Sequence, residues 1–268
     1  MYSGTTVGKK SGHLVGVHQR IDRVARRHLT PLLKSNVTFP SISQILHFEG
    51  NNGPDGIKRK SPSKDEPWHY IDPLKPDDRS LLEMIRDHQV NLGKAVKSEN
   101  QERAAFEAAW LAHAIVDGLT PAHHFPLADK IEELFGIPHH ERLTVKDKNV
   151  IKGASRRDTV SKNWEYWGSK GIFTNHFMFE LGVATSILGK NFGKVSITKK
   201  DLADLKKNGY EKTFQNILVQ VIDLKTYELY AQKGWSWALA RTVREQLVPL
   251  IVKGVTLGWY ASVVEEKK

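Results

Sequence analysis

Apolar residues recur at the spacing of an α-helix along most of this chain, and this periodicity constrains the fold more than any other sequence feature. No internal repeat and no alternation typical of β-strands interrupts it. The sequence therefore predicts a single all-α domain over residues 1–268, built as a helical bundle. Helices are predicted over residues 13–29, 81–97, 101–118, 127–135, 172–189 and, in the C-terminal part 191–268, over 201–206, 211–233 and 236–264.

Two segments lack this periodicity. Residues 37–80 are rich in Gly, Pro, Ser and Asn, and residues 139–170 are basic, so both are predicted to be long loops. Residues 247–264 are strongly apolar, but Pro249, Lys253 and Gly254 interrupt them. They are therefore predicted to form a core helix and not a transmembrane segment.

The composition limits the chemistry that the chain can carry. It contains no Cys, which excludes disulfides, thiolate metal sites and a Cys nucleophile. A bound metal would have to be held by Asp, Glu and the 12 His residues. The formal net charge of +10 favours anionic partners such as nucleic acid, phospholipid headgroups or phosphorylated substrates.

The strongest candidate site lies in the segment WLAHAIVDGLTPAHH, residues 110–124. His113 and Asp117 are four residues apart and share one helical face, and the turn after Gly118 can bring His123 back over the helix end. Two imidazoles and a carboxylate in this arrangement suit zinc. A second His-x3-acid pair, His176 and Glu180, lies on another apolar helix.

Three further candidates precede this segment. His69 lies between two aromatic residues at the end of the polar loop, Asp55 lies in a Gly-Pro-Asp-Gly sequence, and His13 lies at the start of the first helix. Taken alone, these motifs have simpler explanations. His113 and Asp117 could be a His–Asp pair at a helix end, and His176 and Glu180 a solvated pair on a helix surface. Asp55 could belong to a Pro-Asp-Gly turn, and His13 could cap a helix.

Taken together, these residues resemble in order and spacing the zinc-dependent phospholipase C and single-strand-specific nuclease superfamily. That family has His, Asp and His, followed by His-x3-Asp-x5-His and by His-x3-Glu or His-x3-Asp. The resemblance covers about residues 12–190. His69 follows Asp55 by 14 positions, and this spacing and the final Glu180 resemble the phospholipase branch. Pro54-Asp55 and the segment PWHYID at 67–72 resemble the nuclease branch as much.

The resemblance implies a zinc cluster in a cleft between helices. The implied metal ligands are His13, Asp55, His69, His113, Asp117, His123, His176 and Glu180. One zinc would be held by His69, His113 and Asp117, and a second by His123, His176 and Glu180. Asp117 would also bridge toward a third zinc, together with His13. Asp55 would lie close to the metals, as a ligand in nucleases and as the proposed catalytic general base in phospholipases.

Two departures from the family pattern change what is expected. The family's third zinc is held partly by an N-terminal Trp, whereas residue 1 here is Met and no Trp precedes Trp68. Two to three zinc ions are therefore expected, with the third weak or missing. Residues 125–175 form a predicted insertion. Its basic residues and the aromatic Trp164, Tyr166 and Trp167 could contact a phosphate-bearing polymer or a lipid interface. Alternatively, the insertion is a solvated loop with ordinary core aromatics.

The resemblance implies a zinc-dependent hydrolase that cleaves phosphodiester bonds, and phospholipase C-like action on phospholipids is the first hypothesis. A single-strand nuclease or nucleotidase is the second, and a non-catalytic zinc-stabilised domain is the third. The expected partners are a phosphodiester substrate, either a phospholipid headgroup or single-stranded nucleic acid, and an anionic membrane surface bound peripherally. The chain is expected to be a monomer. Residues 1–20 lack the apolar run of a signal peptide, which favours the cytoplasm, although members of this family are often secreted.

Overall fold

The computed structural model describes residues 1–4, 16–124, 127–190 and 192–264. These residues form helices and no β-sheet, and an isolated parallel bridge joins Ile71 to His124. The structure therefore confirms the predicted all-α fold. The helices are α1 (Val17–Leu29), α2 (Ile42–His47), α3 (Pro54–Lys60), α4 (Ser80–Lys97), α5 (Gln101–Gly118), α6 (Leu127–Phe135), α7 (Val145–Asn149), α8 (Arg156–Trp167), α9 (Ile172–Ile187), α10 (Lys199–Asp223), α11 (Thr226–Lys233), α12 (Trp237–Thr242) and α13 (Val248–Val263).

Two helices form the centre of the bundle. The last, α13, packs against α1, α4, α5 and α10, so the apolar C-terminal segment is a core helix as predicted. Its Trp259 is fully buried, and the indole Nε1–H donates to the carbonyl oxygen of Ala108 on α5 at 2.8 Å. Within the described part of the chain, no helix is both long enough and apolar enough to span a bilayer.

Helix α5 can lie at the centre because its buried side is rich in alanine. Ala104, Ala105, Ala108, Ala109 and Ala112 are all buried, and their small side chains allow α4 and α13 to approach closely. Large neighbours fill the remaining space, as ridges pack into grooves. The close packing fixes the end of α5, where His113 and Asp117 lie.

The prediction of a long loop over residues 139–170 is wrong, because this segment contains α7 and α8. Ser155 caps α8 by accepting a hydrogen bond from the backbone N–H of Asp158. The helix was missed because its buried side is made of polar and aromatic residues and therefore has no aliphatic stripe. This segment has a small core of its own, which joins Leu134, Phe135 and Ile151.

The prediction of a long loop over residues 37–80 is wrong in part, because this segment contains the short helices α2 and α3. Ser41 and Gln44 form a capping box at the start of α2. The Pro-Asp-Gly sequence that suggests a turn instead begins α3, with Pro54 in the first turn, where its missing N–H costs nothing. Asp55 is thereby held on a helix.

Gly93 marks the closest approach of α4 to α13. A Cβ atom at this position would overlap the backbone carbonyl oxygen of Ser262. In most helix interiors Gly→Ala is stabilising by up to about 1 kcal/mol. We expect Gly93→Ala to lower the free energy of unfolding by about 1–3 kcal/mol instead, because the two helices must separate. Denaturant unfolding measures this change.

The neighbouring exposed Lys94 provides the control. Lys94→Ala should change the free energy of unfolding by less than about 0.5 kcal/mol. A Gly93→Ala protein as stable as the wild type would show that the helices do not meet at Gly93.

Candidate metal centre

The carboxylate of Asp117 lies at the centre of the site. Asp117 is in the last turn of α5 and only 1% exposed. Four imidazoles and one amino group lie within 4 Å of its two oxygens. Asp117 Oδ1 lies 2.7 Å from the amino nitrogen of Met1, 3.3 Å from His18 Nε2 and 3.6 Å from His123 Nε2. Asp117 Oδ2 lies 2.6 Å from His69 Nδ1 and 3.2 Å from His113 Nε2.

Separate parts of the chain bring these groups together. The backbone carbonyl of Tyr2 accepts a hydrogen bond from the Val17 N–H at 2.7 Å, which holds residues 1–4 against the start of α1. The turn that ends at His123 is joined to the preceding loop, because the Ile71 N–H donates to the carbonyl of His123 at 3.1 Å. Since these loops are tied to each other and to α5, the imidazole of His69 is held in place before any ligand binds.

The second group of candidate ligands lies beside the first. Glu180 Oε1 is 2.9 Å from His123 Nε2 and 3.0 Å from His176 Nε2. The other ring nitrogen of each imidazole donates to a backbone carbonyl: His123 Nδ1–H to His69 at 2.8 Å, and His176 Nδ1–H to Ala122 at 3.0 Å. These bonds fix the tautomer and direct Nε2 into the site, as is typical of histidines that bind metals.

Several buried nitrogens of the first group lack hydrogen-bond partners among the described residues. They are both ring nitrogens of His18, both of His113, and Nε2 of His69. Buried polar atoms are normally paired, and unpaired ones need an explanation such as a metal. The donor set of imidazoles and carboxylates, without thiolates, fits Zn²⁺.

The geometry divides the candidate ligands into three sets. Within each set, the ligand atoms lie within 4.8 Å of one another. The sets are His18, His113 and Asp117; Asp55, His69 and His113; and His123, His176 and Glu180. Two ligands of one tetrahedral zinc, each about 2 Å from the metal, lie roughly 3–4 Å apart, so every set is close to the required size.

The charges in the site favour metal binding. Burial disfavours the ionised form of Asp117, but the surrounding imidazoles and amino group hold its pKa well below the usual range. Burial lowers the pKa of His69 to about 4 and that of His123 to about 3, so both imidazoles are neutral at pH 7 and can donate a lone pair. Burial also opposes the charge on His113, but Asp117 and Glu49 raise its pKa well above the ordinary value.

Asp55 lies at the more exposed edge of the cluster, with 23% of its side chain accessible. Its Oδ1 is 3.8 Å from His113 Nε2. Burial raises the pKa of Asp55, but His113, His69 and Lys58 together outweigh this effect and lower it to about 2. Asp55 is therefore a carboxylate with little tendency to take up a proton.

The structure brings seven of the eight sequence-predicted site residues into one cluster. The seven are Asp55, His69, His113, Asp117, His123, His176 and Glu180. The eighth, His13, lies outside the described residues. His18 lies beside Asp117, is fully buried and stacks on His113 with ring centroids 4.1 Å apart.

The sequence contains a signal that identifies His18. His18 and Asp22 form a third His-x3-acid pair, and both lie on the buried stripe of α1 with Ile21, Ala25 and Leu29. A His and an Asp in an otherwise apolar stripe are as informative here as in α5 and α9.

Two buried carboxylates lie behind the site. Glu49, 3% exposed, has its Oε1 3.5 Å from His113 Nδ1 and so lies on the side of the imidazole away from Asp117. Asp22 is fully buried, and its burial, together with the charge of Glu49, raises its pKa well above the ordinary value. Glu49 can therefore orient His113 as an outer carboxylate.

A cavity adjoins the cluster on the side of His69. Its walls include the aromatic rings of Trp68, Tyr70 and Tyr166 and the basic side chains of Lys58, Arg142 and Lys148. Lys148 Nζ is neutralised by Glu66 Oε1 at 2.6 Å. Burial disfavours the charge on Lys58, but Tyr70 and Asp55 outweigh this effect and raise its pKa, so Lys58 is a cation next to the cluster.

Comparison of this chain with protein-family models, with curated proteins and with solved structures finds no match. The assignment of a function therefore depends on the site itself.

The protonation of the site predicts how zinc binding responds to pH. At pH 7 His113 is protonated. Burial lowers the pKa of the Met1 amino group, but Asp117 and Glu180 outweigh this effect and raise that pKa to about 10. Zinc must displace such protons, so we expect proton release on binding and an apparent affinity that rises from pH 6 to pH 8. Calorimetric titration in buffers of different ionisation enthalpy measures the released protons. Zinc binding without proton release would contradict these protonation states.

Proposed function

We propose that this protein is a zinc-dependent phosphodiesterase, with phospholipase C-like hydrolysis of phospholipids as the leading activity. The observation that carries the proposal is the convergence of three sets of imidazole and carboxylate atoms on one buried carboxylate, Asp117. A helix end needs at most one such pair. A cluster of this size, with two imidazoles oriented by backbone carbonyls, is typical of a catalytic metal centre.

The proposed ligands follow the three geometric sets. Asp55, His69 and His113 would share one zinc, and His123, His176 and Glu180 would hold a second. His18 and the amino group of Met1 flank Asp117 and would complete a third site. When bound, zinc would supply a Lewis acid that lowers the pKa of water and offsets the charge of a phosphodiester.

The remaining roles concern this chain's own side chains. In this proposal Asp55 is a ligand of the first zinc, and its place at the more exposed edge of the cluster also lets it accept a hydrogen bond from water. Lys58, one turn later on α3, would bind the anionic phosphodiester at the edge of the cavity.

A single-strand nuclease is the second candidate, and one observation favours it. The cavity beside His69 is lined by Trp68 and Tyr70, whose rings meet edge to face with centroids 5.7 Å apart. Aromatic side chains near a phosphate-binding site can stack on the bases of single-stranded nucleic acid. Phospholipid and single-stranded DNA must therefore be tested side by side.

Metal analysis followed by hydrolysis assays tests the proposal. We expect two to three zinc ions per chain by mass spectrometry, and loss of activity with a chelator that is restored by Zn²⁺. The substrates are phosphatidylcholine micelles, single-stranded DNA and a water-soluble phosphodiester. Hydrolysis of DNA alone would favour the nuclease, whereas bound zinc with no hydrolysis would favour a zinc-stabilised domain. Less than one metal ion per chain, in protein never exposed to chelator, would refute the proposal.

Asp117→Asn tests the centre of the cluster. The substitution keeps the shape of the side chain but removes its charge. Asp117 belongs to one of the three ligand sets, and its charge faces the other two. We expect a loss of phosphodiesterase activity of more than about 100-fold, together with a lower zinc content. Activity and zinc content are measured on the same folded sample.

Glu107→Gln is the matched control. Glu107 is also on α5 and fully buried, and it pairs with His88 Nδ1 at 2.6 Å, about 15 Å along the helix from Asp117. This variant should lose stability but keep its zinc content and its rate per folded molecule. Full activity in folded Asp117→Asn would rule out a catalytic role for the cluster.

A further inference from the structure

The outer side of α8 carries an apolar stripe that no part of the described chain covers. Val160, Trp164 and Trp167 are four and three residues apart and so share one helical face. They are 69%, 70% and 40% exposed. Contiguous exposed apolar surface of this kind on a protein commonly marks a binding surface.

This exposure is a fixed feature of the structure, because the opposite side of α8 is held tightly. The Asn163 side-chain amide donates to the carbonyl of Ile151 at 2.7 Å, and its oxygen accepts from the Ile151 N–H at 3.2 Å. Tyr166 packs edge-on against Phe135, with ring centroids 5.4 Å apart. Since the inner side is fixed by these contacts, the stripe cannot turn inward without breaking them.

The exposed surface continues onto α9. The rings of Trp167 and Phe173 are 4.7 Å apart, and Phe173 is 37% exposed. Helix α9 also carries His176 and Glu180, so the surface borders the helix that supplies two candidate ligands. Tyr166, on the inner side of α8, lines the cavity beside His69. One helix thus separates the apolar surface from the candidate site.

Basic residues surround the stripe. Arg156 and Arg157 precede Val160 by four and three residues, so they flank it on either side, and both are exposed. Residues 145–170 contain seven Lys and Arg against three Asp and Glu. An apolar centre with exposed Trp and a basic margin is complementary to an anionic phospholipid surface, where Trp lies at headgroup level and Arg contacts phosphate.

We propose that the outer side of α8, together with Phe173, docks this protein on anionic phospholipid membranes. Exposed Val160 favours lipid over nucleic acid, because an aliphatic side chain inserts among acyl chains but does not stack on bases. Docking on this side would place headgroups about one helix diameter from the cavity. The proposal deepens the proposed phosphodiesterase function and rests on it for its purpose, but the docking can be measured without any hydrolysis.

Vesicle cosedimentation tests the docking. Full-length protein is mixed with vesicles of phosphatidylcholine and phosphatidylglycerol, or of phosphatidylcholine alone. We expect binding to the anionic vesicles, with a blue shift of Trp fluorescence. The double variant Val160→Ser and Trp164→Ala should bind at least 10-fold more weakly. Arg156→Glu with Arg157→Glu should also weaken binding and remove most of its salt dependence.

Trp237→Ala is the matched control, because Trp237 is 84% exposed on α12 and lies outside the α8 surface. It should bind vesicles like the wild type. Equal binding of anionic vesicles by the wild type and the Val160/Trp164 double variant would overturn the proposal. It would also be overturned if the double variant lost only single-stranded DNA binding, or converted a dimer to a monomer in sedimentation.

The same variants separate this proposal from the proposed function. If both hold, the double variant should hydrolyse a water-soluble phosphodiester at the wild-type rate but hydrolyse phospholipid in vesicles at least 10-fold more slowly. Binding to vesicles without hydrolysis of any phosphodiester would refute the proposed function and leave the docking surface in place. Hydrolysis without α8-dependent vesicle binding would do the reverse.

Discussion

The buried charge of Asp117 is the constraint on which the rest of the site depends. An ionised carboxylate that is 1% exposed is stable only if cations or hydrogen-bond donors surround it. Those groups come from residues 1–4, from α1, from the loop that carries His69, from the turn after α5 and from α5 itself. Distant parts of the chain must therefore meet at this one side chain, and the bundle is organised so that they do.

The two sides of the cluster are held in different ways. On the side of Glu180, the imidazoles of His123 and His176 are oriented by backbone carbonyls, so their ligand atoms are fixed by the path of the main chain. On the other side, His18 and His113 stack on each other, with ring nitrogens that lack hydrogen-bond partners among the described residues. The first side is a preorganised set of ligands. The second has ring nitrogens that a bound metal could take up, which is the physical reason for expecting metal there.

The segment around α8 stands partly apart from the main bundle. Its small core of Leu134, Phe135 and Ile151 is separate from the large core around α5 and α13. A unit with its own core can hold α8 rigidly at the edge of the cavity while the outer side of the helix stays exposed. Such an arrangement leaves the bundle with the candidate metal site independent of what the outer surface contacts.

The sequence alone determined helices α4, α5, α6 and α9 and most of the candidate ligands. The apolar stripes of α4 and α5 reproduce the period of the helix, and His113 and Asp117 share a face because side chains four residues apart always do in a helix. The His-x3-acid pattern would have found His18 and Asp22 as well, had it been applied to α1. These features depend on local geometry and can therefore be read from the order of residues.

The tertiary structure decided what local geometry cannot. It brought Asp55 and His69 to α5 across tens of residues, and it put the amino group of Met1 beside Asp117. It also showed that residues 139–170, predicted to be a loop, contain α8, whose buried side is held by Asn163 and Tyr166 and not by an aliphatic stripe. Helical period follows from bonds between near neighbours, whereas the meeting of distant segments depends on how the whole core packs, and no short stretch of sequence contains that information.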